Sequence, residues 1–146
     1  MLNLTTQALN PQQLKERLEV KYKELEVIRN NLSAVATHAA LVAGFAFQGM
    51  RAEQFGSNCP VSLRGFFYLT AVSVMGFELY TVFMSTLCVV CGPNLAMRGT
   101  DPSTSVDLAV QGMFTASHTI FPCFIAGIFL FQIAAMQWVV AKLLFR

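Results

Sequence analysis

Three long apolar stretches divided by short polar breaks organise the chain. They place membrane spans at about 32–50, 63–90 and 108–143, the last inside an apolar run from Val106 to Phe145 that is too long for a single untilted crossing. At 1.5 Å per residue each stretch can cross a hydrocarbon core of roughly 30 Å. The breaks carry turn signals: "GSNCP" after the first span, and "CGPNLAMRGTDPSTS", read as a loop with Pro93, Gly99 and Pro102 as breakers. Pro122 inside the third span is a candidate kink.

The N-terminal segment has a different pattern. Leu14, Leu18, Tyr22, Leu25, Ile28 and Leu32 recur at spacings of three or four among alternating charges, which predicts an amphipathic helix. Pro11 suits its first turn, with Asn10 as cap. No Pro or Gly interrupts Gln12 to Ala43, so this helix is expected to run into the first span as one rod. The predicted fold is all-α: a polytopic membrane protein of three transmembrane helices, with an N-terminal amphipathic extension (1–31) continuing the first span of a three-helix membrane domain (32–146). The "MLNLTTQALNPQQ" start lacks the basic, apolar and small-residue parts of a signal peptide, so the first span is expected to act as its own insertion signal.

Composition agrees with lipid as the solvent. The chain is 55% hydrophobic and 12% charged, about half the charged share of a soluble domain. A net charge of +2 with mixed signs excludes a nucleic-acid footprint. With the N-terminus in the cytosol, the inner side holds six basic residues (Lys15, Arg17, Lys21, Lys23, Arg29, Arg98) and the outer side four (Arg51, Arg64, Lys142, Arg146), which favours that orientation. Trp138, Lys142 and Arg146 read as interfacial anchors.

The first span is rich in Ala and Gly. Small residues let helix backbones approach closely in lipid, so this helix is expected to be surrounded by protein. Glu78 lies near the middle of the second span, where a carboxylate is costly and faces protein or water. His38 in the first span and His118 in the third, beside Thr115, Ser117 and Thr119, are its candidate partners. Each histidine reads more simply as a hydrogen-bonded packing residue. Cys88 and Cys91 form a CxxC, half of a structural zinc site. No catalytic motif is present, so no enzyme activity, cofactor or metal is expected.

Read together, "LSAVATHAALVAGFAFQGM", "FELYTVFMSTLCVVCGPNL" and "GIFLFQIAAMQWVVAKLLF" resemble the first three membrane helices of the Orai family, the pore subunits of calcium-release-activated calcium channels. The matching features are the run into Gly44-Phe45-Ala46, the Ser85-Thr86 step followed by Pro93-Asn94, and the Gly127-to-Trp138 pattern. The resemblance implies a homo-oligomer, a hexamer in that family, with first helices around a central pore. It makes Arg29, Phe45, Gln48, Arg51, Ala52 and Glu53 pore-lining candidates, and Glu78, with His38 and His118, gating or intramembrane polar candidates.

The departures bear on calcium. Gln48 falls at the family's hydrophobic gate and Ala52 where the filter glutamate belongs. Glu53 comes one residue late, a rotation of about 100°. A carboxylate ring for a hard divalent ion is thus missing, and an Arg51 ring would repel cations. Three residues are inserted around Cys88 to Cys91. The resemblance also ends before the fourth helix and the cytosolic extension where the family's calcium sensor couples, so that gating is not implied. The alternative expectation is a structural or accessory subunit of a larger membrane complex, and the third, a thiol oxidoreductase using Cys88 and Cys91.

Overall fold

A computed structural model of the chain describes residues 11–52, 59–97 and 102–144. They form three α-helices: α1 Pro11–Ala52, α2 Val61–Met97 and α3 Pro102–Leu144. Each contains a stretch long and apolar enough to cross a membrane. The helices measure about 63, 55 and 64 Å at 1.5 Å per residue, so each extends well beyond a hydrocarbon core of roughly 30 Å.

α1 and α3 run parallel, and α2 runs antiparallel to both. At one end Leu25, Leu32 and Val35 of α1 pack with Val106, Ala109 and Met113 of α3, and with Met84, Cys88 and Val89 from the second half of α2. At the other end Ala46 and Gly49 of α1 lie near Phe67 and Ala71 from the start of α2, and near Ala134 and Ala135 of α3.

The seams follow a seven-residue repeat. On α2 the buried positions include Phe67, Ala71, Val74, Glu78, Thr81, Ser85 and Gly92, at alternating spacings of about three and four. On α1, Leu25, Leu32, Ala39 and Ala46 fall on one line. Ala43, Ala71, Ala109, Gly127, Ala134 and Ala141 keep the helices close, as expected where association rests on packing.

The hydroxyls inside the bundle are largely satisfied by their own helices. Thr70, Thr81 and Ser117 donate to the carbonyls of Phe66, Phe77 and Phe114 at 2.8, 2.9 and 2.6 Å. Such back-bonding lets a polar side chain sit in an apolar helix without an outside partner.

Two sequence expectations are corrected. Cys91 to Ser105 is not a continuous loop: α2 stays helical through Pro93 to Met97, and α3 begins at Pro102. Pro93 removes one backbone donor, but Gly92 beside it is buried against the Met113 side chain of α3, which keeps the last turns of α2 docked. Pro102 stands at the first position of α3, where no donor is needed. The expected cap Asn10, and the breaker Gly99, lie outside the described residues.

The second correction concerns the stripe on α1. Tyr22 is 47% exposed and off the seam, because the seven-residue repeat carries Leu25 and Leu32 inward and leaves Tyr22 one position from that line. Lys21, at the edge of the seam, reaches Glu24 at 3.3 Å and Asp107 of α3 at 3.4 Å. Both inter-helix partners are well exposed, so Lys21→Met is expected to leave thermal unfolding in detergent unchanged at low and high salt. A clear loss of stability at low salt alone would contradict this.

Candidate functional site

Glu78 sits at the centre of the bundle. α2 presents it on the same inward line as Val74, Thr81 and Ser85, and all four are fully buried, with 0% exposure. Facing it is Gly127 of α3, also buried. A Cβ built on Gly127 would collide with Glu78 Oε1 and lie 2.8 Å from Cδ and 3.1 Å from Cγ. The missing side chain at Gly127 is therefore the space that the carboxyl group fills. This role was not drawn from the sequence, although a lone glycine mid-way along an apolar helix was a signal for close approach.

Both Glu78 oxygens lack a hydrogen-bond partner among the described residues, as does Ser85 Oγ. Burying an unpaired carboxylate costs several kcal/mol, and removing water from it without a compensating charge is the main source of that cost. His38 and His118 do not pair with it. Both are exposed, and His118 instead stacks edge-on with Phe114, ring centroids 4.9 Å apart at 84°. The reason is helical phase: Ser117 and Ile120 take the inward positions of α3 around His118. Glu78 is thus a buried group with no visible proton partner, positioned by packing.

The pore candidates divide between faces of α1. Gln48 and Arg51 are exposed on the side of α1 away from α2 and α3, and neither has a side-chain partner among the described residues. Phe45 is 62% exposed but turns toward a lateral groove shared with Phe67, Phe131 and Trp138. Arg29 lies roughly 160° round the helix from Phe45, beside Leu25 and Pro93. Arg29 and Phe45 therefore do not share a line. Ala52 ends α1 with its side-chain surroundings outside the described set, and Glu53 lies outside the described residues.

The outward face of α1 is chemically unlike those of its neighbours. α2 exposes Phe66, Leu69, Phe83 and Leu87, and α3 exposes Ile125, Phe129, Ile133 and Met136. Those are large apolar side chains, the kind that faces lipid. Over the apolar half of α1, Ala34, Thr37, Gly44 and Gln48 form an exposed line with Leu41, and Phe45 and Phe47 are exposed on either side of it. The line also holds a seven-residue spacing, from Val20 through Val27, Ala34 and Leu41 to Gln48. A Cβ on Gly44 would meet nothing within 4 Å, so packing inside the chain does not require glycine there.

The four cysteines are free thiols, with Cys59 buried, Cys88 and Cys123 half-buried and Cys91 exposed. Among the described residues no three metal-ligating side chains converge. The fold thus defines an all-helical chain whose three helices are each long and apolar enough to cross a membrane. No family model, curated protein or solved structure matches it.

Proposed function

We propose that the chain is a multi-pass membrane protein that assembles as a homo-oligomer through the outward face of α1. In this channel-like assembly, of the Orai type suggested by the sequence motifs, α1 lines the axis and α2 and α3 face lipid. The contrast between helix faces carries the reading. Along one line of α1, Ala34, Thr37, Gly44 and Gln48 stand exposed about Leu41, whereas the exposed surfaces of the other two helices carry more Phe, Leu and Ile. In hydrocarbon an unpartnered amide such as Gln48 is costly, and contact with protein or a water-filled axis removes that cost. The seven-residue spacing is the repeat by which parallel helices mesh with copies of themselves.

The assembly is tested by cross-linking in the native membrane, in a background with the four native cysteines replaced by Ala. Leu41→Cys is expected to give disulfide-linked dimers on oxidation. Phe83→Cys and Phe129→Cys, equally exposed but on α2 and α3, are expected to stay unlinked. Cross-linking only from the α2 or α3 positions would sink the arrangement. Purification as a single copy among unrelated subunits would replace it with the accessory-subunit role.

A further inference from the structure

On the assembly reading above, we propose that the axis enclosed by α1 is selective for small monovalent anions, with Arg51 as the residue that sets the selectivity. Among the described residues, the outward line over the apolar half of α1, from Ala34 to Arg51, holds no carboxylate. Its charged member is Arg51 at the end of α1, whereas Lys23, nearer the start, shares a groove with Glu26, Arg29 and Pro93 of α2.

These two basic groups are not equivalent. Lys23 lies 3.1 Å from Glu19, an exposed pair that balances its charge locally. Arg51 is exposed and has no ion pair among the described residues. Symmetry would bring several copies of this guanidinium to one mouth. Like charges held together repel strongly in a partly dehydrated site, and an anion between them relieves that repulsion. Rings of Arg or Lys are the usual basis of anion passage.

Between the two ends, the axis offers uncharged groups. Thr37 donates its hydroxyl to the Ser33 carbonyl at 3.0 Å, and the exposed Gln48 amide has no partner among the described residues. A hard divalent cation needs several oxygen ligands, usually including carboxylates. This line supplies amide and guanidinium N–H donors, which suit an anion.

The experiment uses the full chain in planar bilayers with potassium chloride at different concentrations on the two sides. The wild type is expected to reverse at a potential with the sign of the chloride equilibrium potential. Arg51→Glu is expected to invert that sign, Arg51→Gln to shift it toward zero, and Arg51→Lys to keep it. A potassium-selective wild type overturns the proposal. So does a selectivity unmoved by Arg51→Glu but altered by Glu53→Gln, which would assign the mouth to Glu53. A homo-oligomer that carries no current overturns the anion path while leaving the assembly intact. Failure of the Leu41→Cys cross-link overturns the assembly itself, so the two failures are distinguishable.

Discussion

Gly127→Val is expected to loosen α3 from α2 and lower the stability of the bundle by about 1–3 kcal/mol, the usual range for overfilling a packed interior. The added carbons would enter the space held by the Glu78 carboxyl group, whose Cδ lies only 2.8 Å from the first of them. Glu78 cannot swing to water, since it is fully buried between helices. Thermal unfolding in detergent, read by circular dichroism, checks the loss.

The pair also makes a double-mutant test. Glu78→Ala removes the obstructing atoms, so Gly127→Val should cost much less in that background than in the wild type. Glu78→Gln keeps the shape and is neutral, and it is expected to unfold close to the wild type. Equal effects of Gly127→Val in both backgrounds would refute the contact as the cause.

Gly44→Phe is the opposite case, with the second large effect. Among the described residues nothing beyond its own turn of helix lies within 4 Å of its added Cβ, so the helix content and unfolding temperature of the single chain are expected to hold. The assembly is expected to be lost, with the mass in detergent falling to that of one chain and the Leu41→Cys cross-link disappearing. Phenylalanine is ordinary on the lipid-facing surfaces of α2 and α3, as Phe66 and Phe129 show by their exposure. An unchanged oligomeric mass would therefore mean that this face of α1 also meets lipid. The two glycines separate the packing within a chain from the packing between chains.

Much of the fold was legible in advance because it depends on local composition. Apolar runs of sufficient length gave three helices, and the uninterrupted sequence from Gln12 to Ala43 gave the long α1 rod that is observed. Helix ends were less legible. Pro93 looked like a breaker, yet the docking of Gly92 on Met113 holds α2 in register beyond it. Tyr22 looked like a seam residue because a spacing of four is as helical as one of three, and only the packing of Leu25 and Leu32 against α2 and α3 fixed the phase that leaves it exposed.

The candidate sites divide in the same way. Glu78 stood out because a charge in an apolar run is conspicuous without a structure. Its neighbour Gly127, fifty residues or so along the chain and on another helix, did not, since a contact between helices depends on their rotation and register. Likewise Arg29 and Phe45, made pore candidates by the family resemblance, point in different directions once α1 is packed. Sequence by itself determined the three long apolar helices, because hydrophobicity and the backbone's hydrogen-bonding needs act over one turn or one run of residues. The tertiary structure alone decided which side of each helix is inside, because that choice is made by complementary shapes meeting across helices, where one residue of rotation changes every partner.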